Sequence, residues 1–213
     1  MPTLQTQFID FLIDNNALQF GKFKLKSGRI SPYFFNLGVF NTGKALARLG
    51  EFYAETLLNS RMHYDFLLGP AYKGIPLVAA TTVILSQKYN KNIPYCFNRK
   101  EKKDHGDGGE FVGCALQGKV VMLDDVITAG TTVRETVALL ENTEANLSGI
   151  IIAFDRQERG ENTLSGVQEA VKKFQIPVQS IVTLTDVMQY LEPQKKYTAQ
   201  LEAIREYQKQ YGI

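Results

Sequence analysis

The chain lacks what marks several large protein classes. Its 213 residues hold only two cysteines, Cys96 and Cys114, far apart and without ligand-like spacing. That argues against a disulfide framework or a zinc cluster and fits unpaired thiols in a reducing compartment. An excess of one charge is also missing, since 24 basic residues against 22 acidic ones leave a net +2. No global field points to nucleic acid or to a membrane as partner, so attraction for an anion must be local. No apolar run approaches membrane-spanning length, and residues 1–12 lack a basic region followed by a long apolar core. No signal peptide is expected, and a cytoplasmic protein is predicted. Internal repeats, low-complexity tracts and linkers are absent, and this length suits one substantial α/β domain over residues 1–213.

What is present concentrates in residues 120–135, VVMLDDVITAGTTVRE. Val120 to Leu123 read as a short buried strand of a parallel sheet. Asp124 and Asp125 follow where that strand should end, and then Val126, Ile127, Thr128, Ala129, Gly130, Thr131 and Thr132 form a small, hydroxyl-rich loop. Val133, Val137 and Leu140 then recur at helical spacing. Free amides and hydroxyls at a helix start suit a phosphate. Two carboxylates beside them repel phosphate but suit sugar hydroxyls or a hydrated Mg2+. The pattern describes a site for a phosphorylated sugar; the plainer alternative is a strand end with an acidic helix cap. No Gly-Lys-Ser/Thr occurs, which excludes the P-loop signature.

The rest of the chain alternates helix and strand. Residues 4–18 place Phe8, Phe11, Leu12 and Leu18 on an amphipathic helix ended by Gly21, and a hairpin follows through Ser27-Gly28 to residues 31–36. Tyr33, Phe34 and Phe35 cannot all face inward from one strand, so at least one lines a surface or pocket. A helix over 43–59 is capped from Asn41-Thr42, and strand 66–68 enters a glycine-bounded loop, 69–74, that carries Lys73. A helix over 75–89 and a strand over 94–97 follow. Residues 98–110 are charged and glycine-rich with almost nothing apolar, which predicts a lid that closes over a ligand. Strand 149–154 puts Arg156 at the ligand side of the sheet. Helix 165–174, strand 178–184, a short helix capped by Thr185-Asp186 and a closing helix to about Tyr211 complete the alternation.

Residues 120–135 resemble the 5-phosphoribosyl-1-diphosphate (PRPP) motif of type I phosphoribosyltransferases. Leu25-Lys26-Ser27-Gly28, Ser31-Pro32-Tyr33-Phe34-Phe35, Gly69-Pro70-Ala71-Tyr72-Lys73-Gly74, the Arg99-to-Gly106 run and Asp155-Arg156-Gln157-Glu158 extend the resemblance over essentially the full length. The whole is similar to the orotate phosphoribosyltransferases in their bacterial dimeric form. That resemblance implies a Rossmann-like type I phosphoribosyltransferase fold. A mostly parallel central sheet is flanked by helices, with a small N-terminal hood (mainly 1–40) and a mobile lid (about 99–110). It also implies a non-proline cis peptide, here at Ala71-Tyr72.

The implied reaction is Mg2+-dependent transfer of the phosphoribosyl group from PRPP to N1 of orotate, giving orotidine 5′-monophosphate and pyrophosphate. By resemblance, Thr128 to Thr132 cradle the 5-phosphate, with Val126 and Ile127 in the same PRPP loop, and Asp124 and Asp125 hold the ribose hydroxyls. Tyr72, Lys73 and Lys100 surround the diphosphate, joined by Arg99, Lys103 and His105 from the other subunit of a homodimer. Lys26 serves both substrates, and Phe34, Phe35, Thr128 and Arg156 belong to orotate. Mg2+ is held mainly through PRPP and water, with Asp124 or Asp125 as the protein's contribution. Catalysis falls to Lys103, Asp124, Asp125, Lys73, Arg99 and His105, with no covalent enzyme intermediate. A purine or uracil phosphoribosyltransferase, or a PRPP-sensing regulator that binds nucleic acid, are the rival readings; the Lys26 and Arg156 settings and the near-neutral charge speak against them.

Overall fold

Four consecutive apolar residues are all buried only where both faces of a sheet are covered, and Val120, Val121, Met122 and Leu123 are each at 0% exposure. The computed structural model describes residues 2–25, 27–103, 109–128, 130–160 and 163–213, with the side chains of all but Lys102 and Lys103. Helix α1 (Leu4–Asp14) leads into a hairpin of β1 (Leu18–Lys24) and β2 (Ile30–Phe35). Next come α2 (Gly43–Asn59), β3 (Phe66–Leu68), α3 (Gly74–Tyr89), β4 (Tyr95–Lys103), β5 (Gly109–Gly113) and β6 (Gln117–Asp124). The chain ends with α4 (Thr131–Leu140), β7 (Glu144–Asp155), α5 (Gly166–Phe174), β8 (Val178–Thr183), α6 (Leu184–Leu191) and α7 (Thr198–Tyr211).

Strands β3 to β8 form one sheet in the order β5-β4-β3-β6-β7-β8, parallel except at the β4–β5 edge. Side chains alternate between its faces. Leu67, Val121, Leu123, Ile151 and Ala153 pack under α1, α2 and α3, whereas Leu68, Met122, Ile150 and Ile152 pack with Val133 of α4 and Ala170 of α5. The β1–β2 hairpin is a separate two-stranded antiparallel sheet, the hood of the sequence reading. Tyr33 fastens it to the main body, its ring edge-on to Phe154 and to Tyr207 of α7. Among the described residues, no helix is long and apolar enough to cross a membrane.

Four boundaries differ from the sequence expectation. Helix α1 stops at Asp14, and Leu18 starts β1 opposite Phe35. Asn16 adopts φ 57°, and an asparagine tolerates that left-handed geometry well enough to end a helix before any glycine. Strand β4 runs on to Lys103 and pairs with β5, so the charged run begins as a hairpin stem. Antiparallel pairing at a sheet edge satisfies the backbone without apolar side chains. Strand β7 begins at Glu144, because its first residues pair with Gln117 and Gly118 of β6. The α6 cap is Thr183 with Asp186, a reciprocal pair, rather than Thr185-Asp186.

Candidate active site

Three strands of the sheet deliver polar side chains at their carboxyl ends. Strand β3 leads into residues 69–74, whose glycines let two loops touch. A Cβ on Gly74 would stand 2.7 Å from the Gly69 carbonyl carbon and 2.9 Å from the Leu123 oxygen. The Ala71-Tyr72 peptide is cis, as the resemblance implied, and the Asn98 Oδ1 accepts from the Ala71 N–H at 2.9 Å. Tyr72 is 72% exposed. Lys73 reaches across to β6, its Nζ 2.5 Å from Asp125 Oδ2.

Asp124 and Asp125 are buried at the end of β6. Asp124 Oδ1 accepts from the Asp125 N–H and Asp125 Oδ1 from the Val126 N–H, both at 2.8 Å. Burial, and then the charge of Asp125, push the Asp124 carboxyl up to about 7. The buried Tyr53 hydroxyl donates to the Asp124 carbonyl at 2.7 Å. Burial and the two neighbouring carboxylates hold that phenol well above its ordinary range. Helix α4 then begins behind Gly130 with no side-chain cap, the kind of helix start that an anion site uses. The loop before it is braced from behind, because a Cβ on Gly166 would come within 2.0 Å of the Thr128 oxygen.

Strand β7 delivers Arg156. With Phe34, Phe35, Val126, Ile127 and Thr128 it lines one cavity of about 590 Å3. The three hood aromatics divide as alternation demands. Tyr33 is fully buried, Phe34 is 38% exposed beside Phe23, and Phe35 is half-buried against Phe154. The Arg156 guanidinium lies over the Tyr33 ring, 4.4 Å from its centroid. Its pKa is raised despite burial, by Tyr33 and the Glu158 carboxylate.

The structure therefore brings Phe34, Phe35, Thr128 and Arg156 to one cavity, and joins Lys73 to the acid pair that precedes its Val126-to-Thr128 wall. Two lid cations point elsewhere. Lys100 stands 3.5 Å from Glu135 on α4, and Arg99 Nη1 donates to the Gly109 carbonyl across the hairpin at 3.2 Å. Lys26, Ala129, His105 and the side chain of Lys103 lie outside the described residues, as do residues 104–108 of the expected lid. Sequence reasoning gave Glu158 no role, although it is the acid that Arg156 touches. An acid two residues past an arginine at a strand end was the available signal.

A parallel sheet that ends in an acid pair, an open helix start and a cation-bearing loop is built to hold a phosphorylated ribose. Consistent with that class, a family model described as the phosphoribosyl transferase domain matches residues 39–180. Orotate phosphoribosyltransferase of Shewanella oneidensis is 53% identical over 213 residues, covering 100% of this chain and 99% of that relative. Its namesake from Vibrio cholerae is 52% identical, with 100% of both chains covered. The crystal structure of orotate phosphoribosyltransferase from Francisella tularensis superposes with a TM-score of 0.89 at 41% identity, covering 97% of this chain and 100% of that one. The chain belongs to the orotate phosphoribosyltransferase family, whose members are pentosyltransferases.

Proposed function

We propose that the chain transfers the phosphoribosyl group of PRPP to N1 of orotate, releasing pyrophosphate and forming orotidine 5′-monophosphate in UMP synthesis. One observation carries this reading: a cavity is lined by a buried guanidinium, two aromatic rings and Val126 to Thr128, and the chain enters that wall from a buried acid pair and leaves it into a helix with no side-chain cap. A planar anion suits the first end, through a charge-assisted contact to Arg156 and ring contact with Phe34 and Phe35. Lys26 joins the base and PRPP sides by resemblance. The 5-phosphate takes residues 128–132, and the ribose hydroxyls take Asp124 and Asp125.

In the reaction N1 of orotate, its proton released to solvent, bonds to C1 of the ribose as the C1–O bond breaks, and the electron pair leaves on pyrophosphate. Inversion at C1 turns the α-linked donor into a β-nucleotide. Tyr72, Lys73 and Lys100 meet the charge that develops on the leaving group, with Arg99, Lys103 and His105 from the second subunit. Lys73 is free to do so because its pair with Asp125 is more than half exposed on the lysine side. The described residues contain no cluster of three or more metal-ligating side chains. Two adjacent carboxylates fit Mg2+, which keeps waters and substrate oxygens in its shell. Asp124 and Asp125 would hold the ion through water, and when bound it neutralises diphosphate charge.

Ultraviolet-monitored loss of orotate, dependent on both PRPP and Mg2+, tests this reading; loss without PRPP, or turnover of uracil or a purine instead, overturns it. We place the protein in the cytoplasm, in keeping with its two free thiols, and as a homodimer that shares its lids. Mixing the nearly inactive variants Arg156→Ala and Lys103→Ala then restores about a quarter of wild-type activity, since half of randomly exchanged dimers regain one good site in two. Exchange without recovery rejects the shared lid.

A further inference from the structure

Glu158 gathers polar contacts from four side chains, yet the proposed reaction gives it no task. Its Oε1 accepts from Arg156 Nε at 3.0 Å and Nη2 at 2.7 Å, and from the Tyr33 hydroxyl at 2.6 Å. Oε2 accepts from the Tyr207 hydroxyl at 3.2 Å and stands 3.8 Å from Arg29 Nη1. These partners come from the hood, from the exit of β7 and from α7. Arg156 is fixed from several directions at once. Tyr33 lies under its face, Glu158 takes one edge, and Ser31 Oγ meets Nη2 at 3.3 Å. Among the described residues Nη1 makes no hydrogen bond, and the side chain borders the cavity.

We propose that Glu158 is a positioning residue, which fixes the Arg156 guanidinium so that its unbonded Nη1 edge meets the carboxylate of the base. This role rests on the orotate reading given above. Two effects of removing the acid oppose each other. A pocket stripped of this negative charge attracts an anion more strongly. It also releases a long side chain whose planar fork binds well only when its orientation is held. Orientation wins, because the cavity opens to solvent and screens the gain in charge, whereas a turned guanidinium forfeits its contact outright.

Steady-state kinetics on variants separate positioning from a merely structural role. Glu158→Gln keeps the size, but its amide arm donates where the carboxylate accepted. The KM for orotate rises about tenfold while that for PRPP stays within about twofold. Tyr207→Phe removes one donor from Oε2 without opening a cavity, and raises the orotate KM about twofold to threefold. Because Glu158 acts through Arg156, the double variant Arg156→Ala, Glu158→Gln binds orotate no worse than Arg156→Ala alone. An orotate KM that is unchanged or lowered in Glu158→Gln, or both KM values rising together, overturns the role. If Glu158→Gln does not fold, an unchanged orotate KM in Tyr207→Phe overturns it equally. A wild-type chain that leaves orotate intact overturns the substrate reading and this role with it, whereas normal wild-type turnover with silent variants overturns this role alone.

Discussion

The two parts of the proposed site, the base end and the diphosphate end, are built differently. At the base end, Arg156 and Glu158 pair at 2.7 Å with side-chain exposures of 13% and 11%, over a fully buried Tyr33. At the diphosphate end, Lys73 is 59% exposed although its partner Asp125 is only 10% exposed, Tyr72 is 72% exposed, and Lys100 meets Glu135 across 3.5 Å in solvent. Breaking a buried ion pair leaves an uncompensated charge and costs several kcal/mol. An exposed pair contributes about 0–1 kcal/mol and yields to any ligand that offers a better partner. The base end is therefore set before substrate arrives, whereas the diphosphate end is completed by the substrate itself. On the proposed function, selectivity between acceptor bases belongs to the first end and charge stabilisation in the transition state to the second.

Substitutions at each end should break this contrast in different ways. The largest effect is expected from Arg156→Ala, which removes a charge-assisted contact of about 2–4 kcal/mol and raises the KM for orotate far more than that for PRPP. Equal effects on both substrates would remove Arg156 from the base end. Lys73→Ala acts at the other end, lowering kcat/KM for PRPP by about tenfold to a hundredfold. Lys73 is 59% exposed but its partner Asp125 is only 10% exposed, so the melting temperature should fall, by less than in Arg156→Ala; an equal or larger drop would make Lys73 a structural cation.

The smallest effect is thermal and concerns Asp124. Its carboxyl is raised to about 7, so the folded state holds a proton that the unfolded chain loses near about pH 4. That contribution to stability is present at low pH and is lost as pH rises through about 7. Asp124→Asn is neutral throughout. Its melting temperature should match wild type near pH 4 and exceed it at pH 8, by about 2–4 °C for each kcal/mol recovered. Activity should fall in the same variant, because the ribose loses a charged acceptor. A melting temperature that falls along with activity would mark Asp124 as a structural cap instead.

Much of this was legible in the sequence, and what was not has physical reasons. Thr42 caps α2, and α2 covers the predicted residues, because the apolar period and the cap agree. That Tyr33, Phe34 and Phe35 are not all buried follows from strand geometry alone, although Phe35 reaches the cavity as well as Phe34. The end of α1 was misread because asparagines stop a helix without a glycine or proline to announce it. The β4–β5 stem was misread because pairing at a sheet edge depends on backbone, which a charged sequence conceals. Glu158 was missed for a third reason: its partners Arg29, Tyr33 and Tyr207 come from distant segments, and only folding brings them to one carboxylate.

Amide hydrogen exchange on the free protein, and again with PRPP and Mg2+, tests the contrast between the two ends most directly. The account predicts strong protection of β2 amides and of residues 154–158 in the free protein, little changed by ligand. Residues 71–74, 126–128 and the β4–β5 stem should exchange faster at first and gain protection once PRPP binds. A free protein in which β2 exchanges as fast as the hairpin stem, and slows only with ligand, would contradict a base end set in advance.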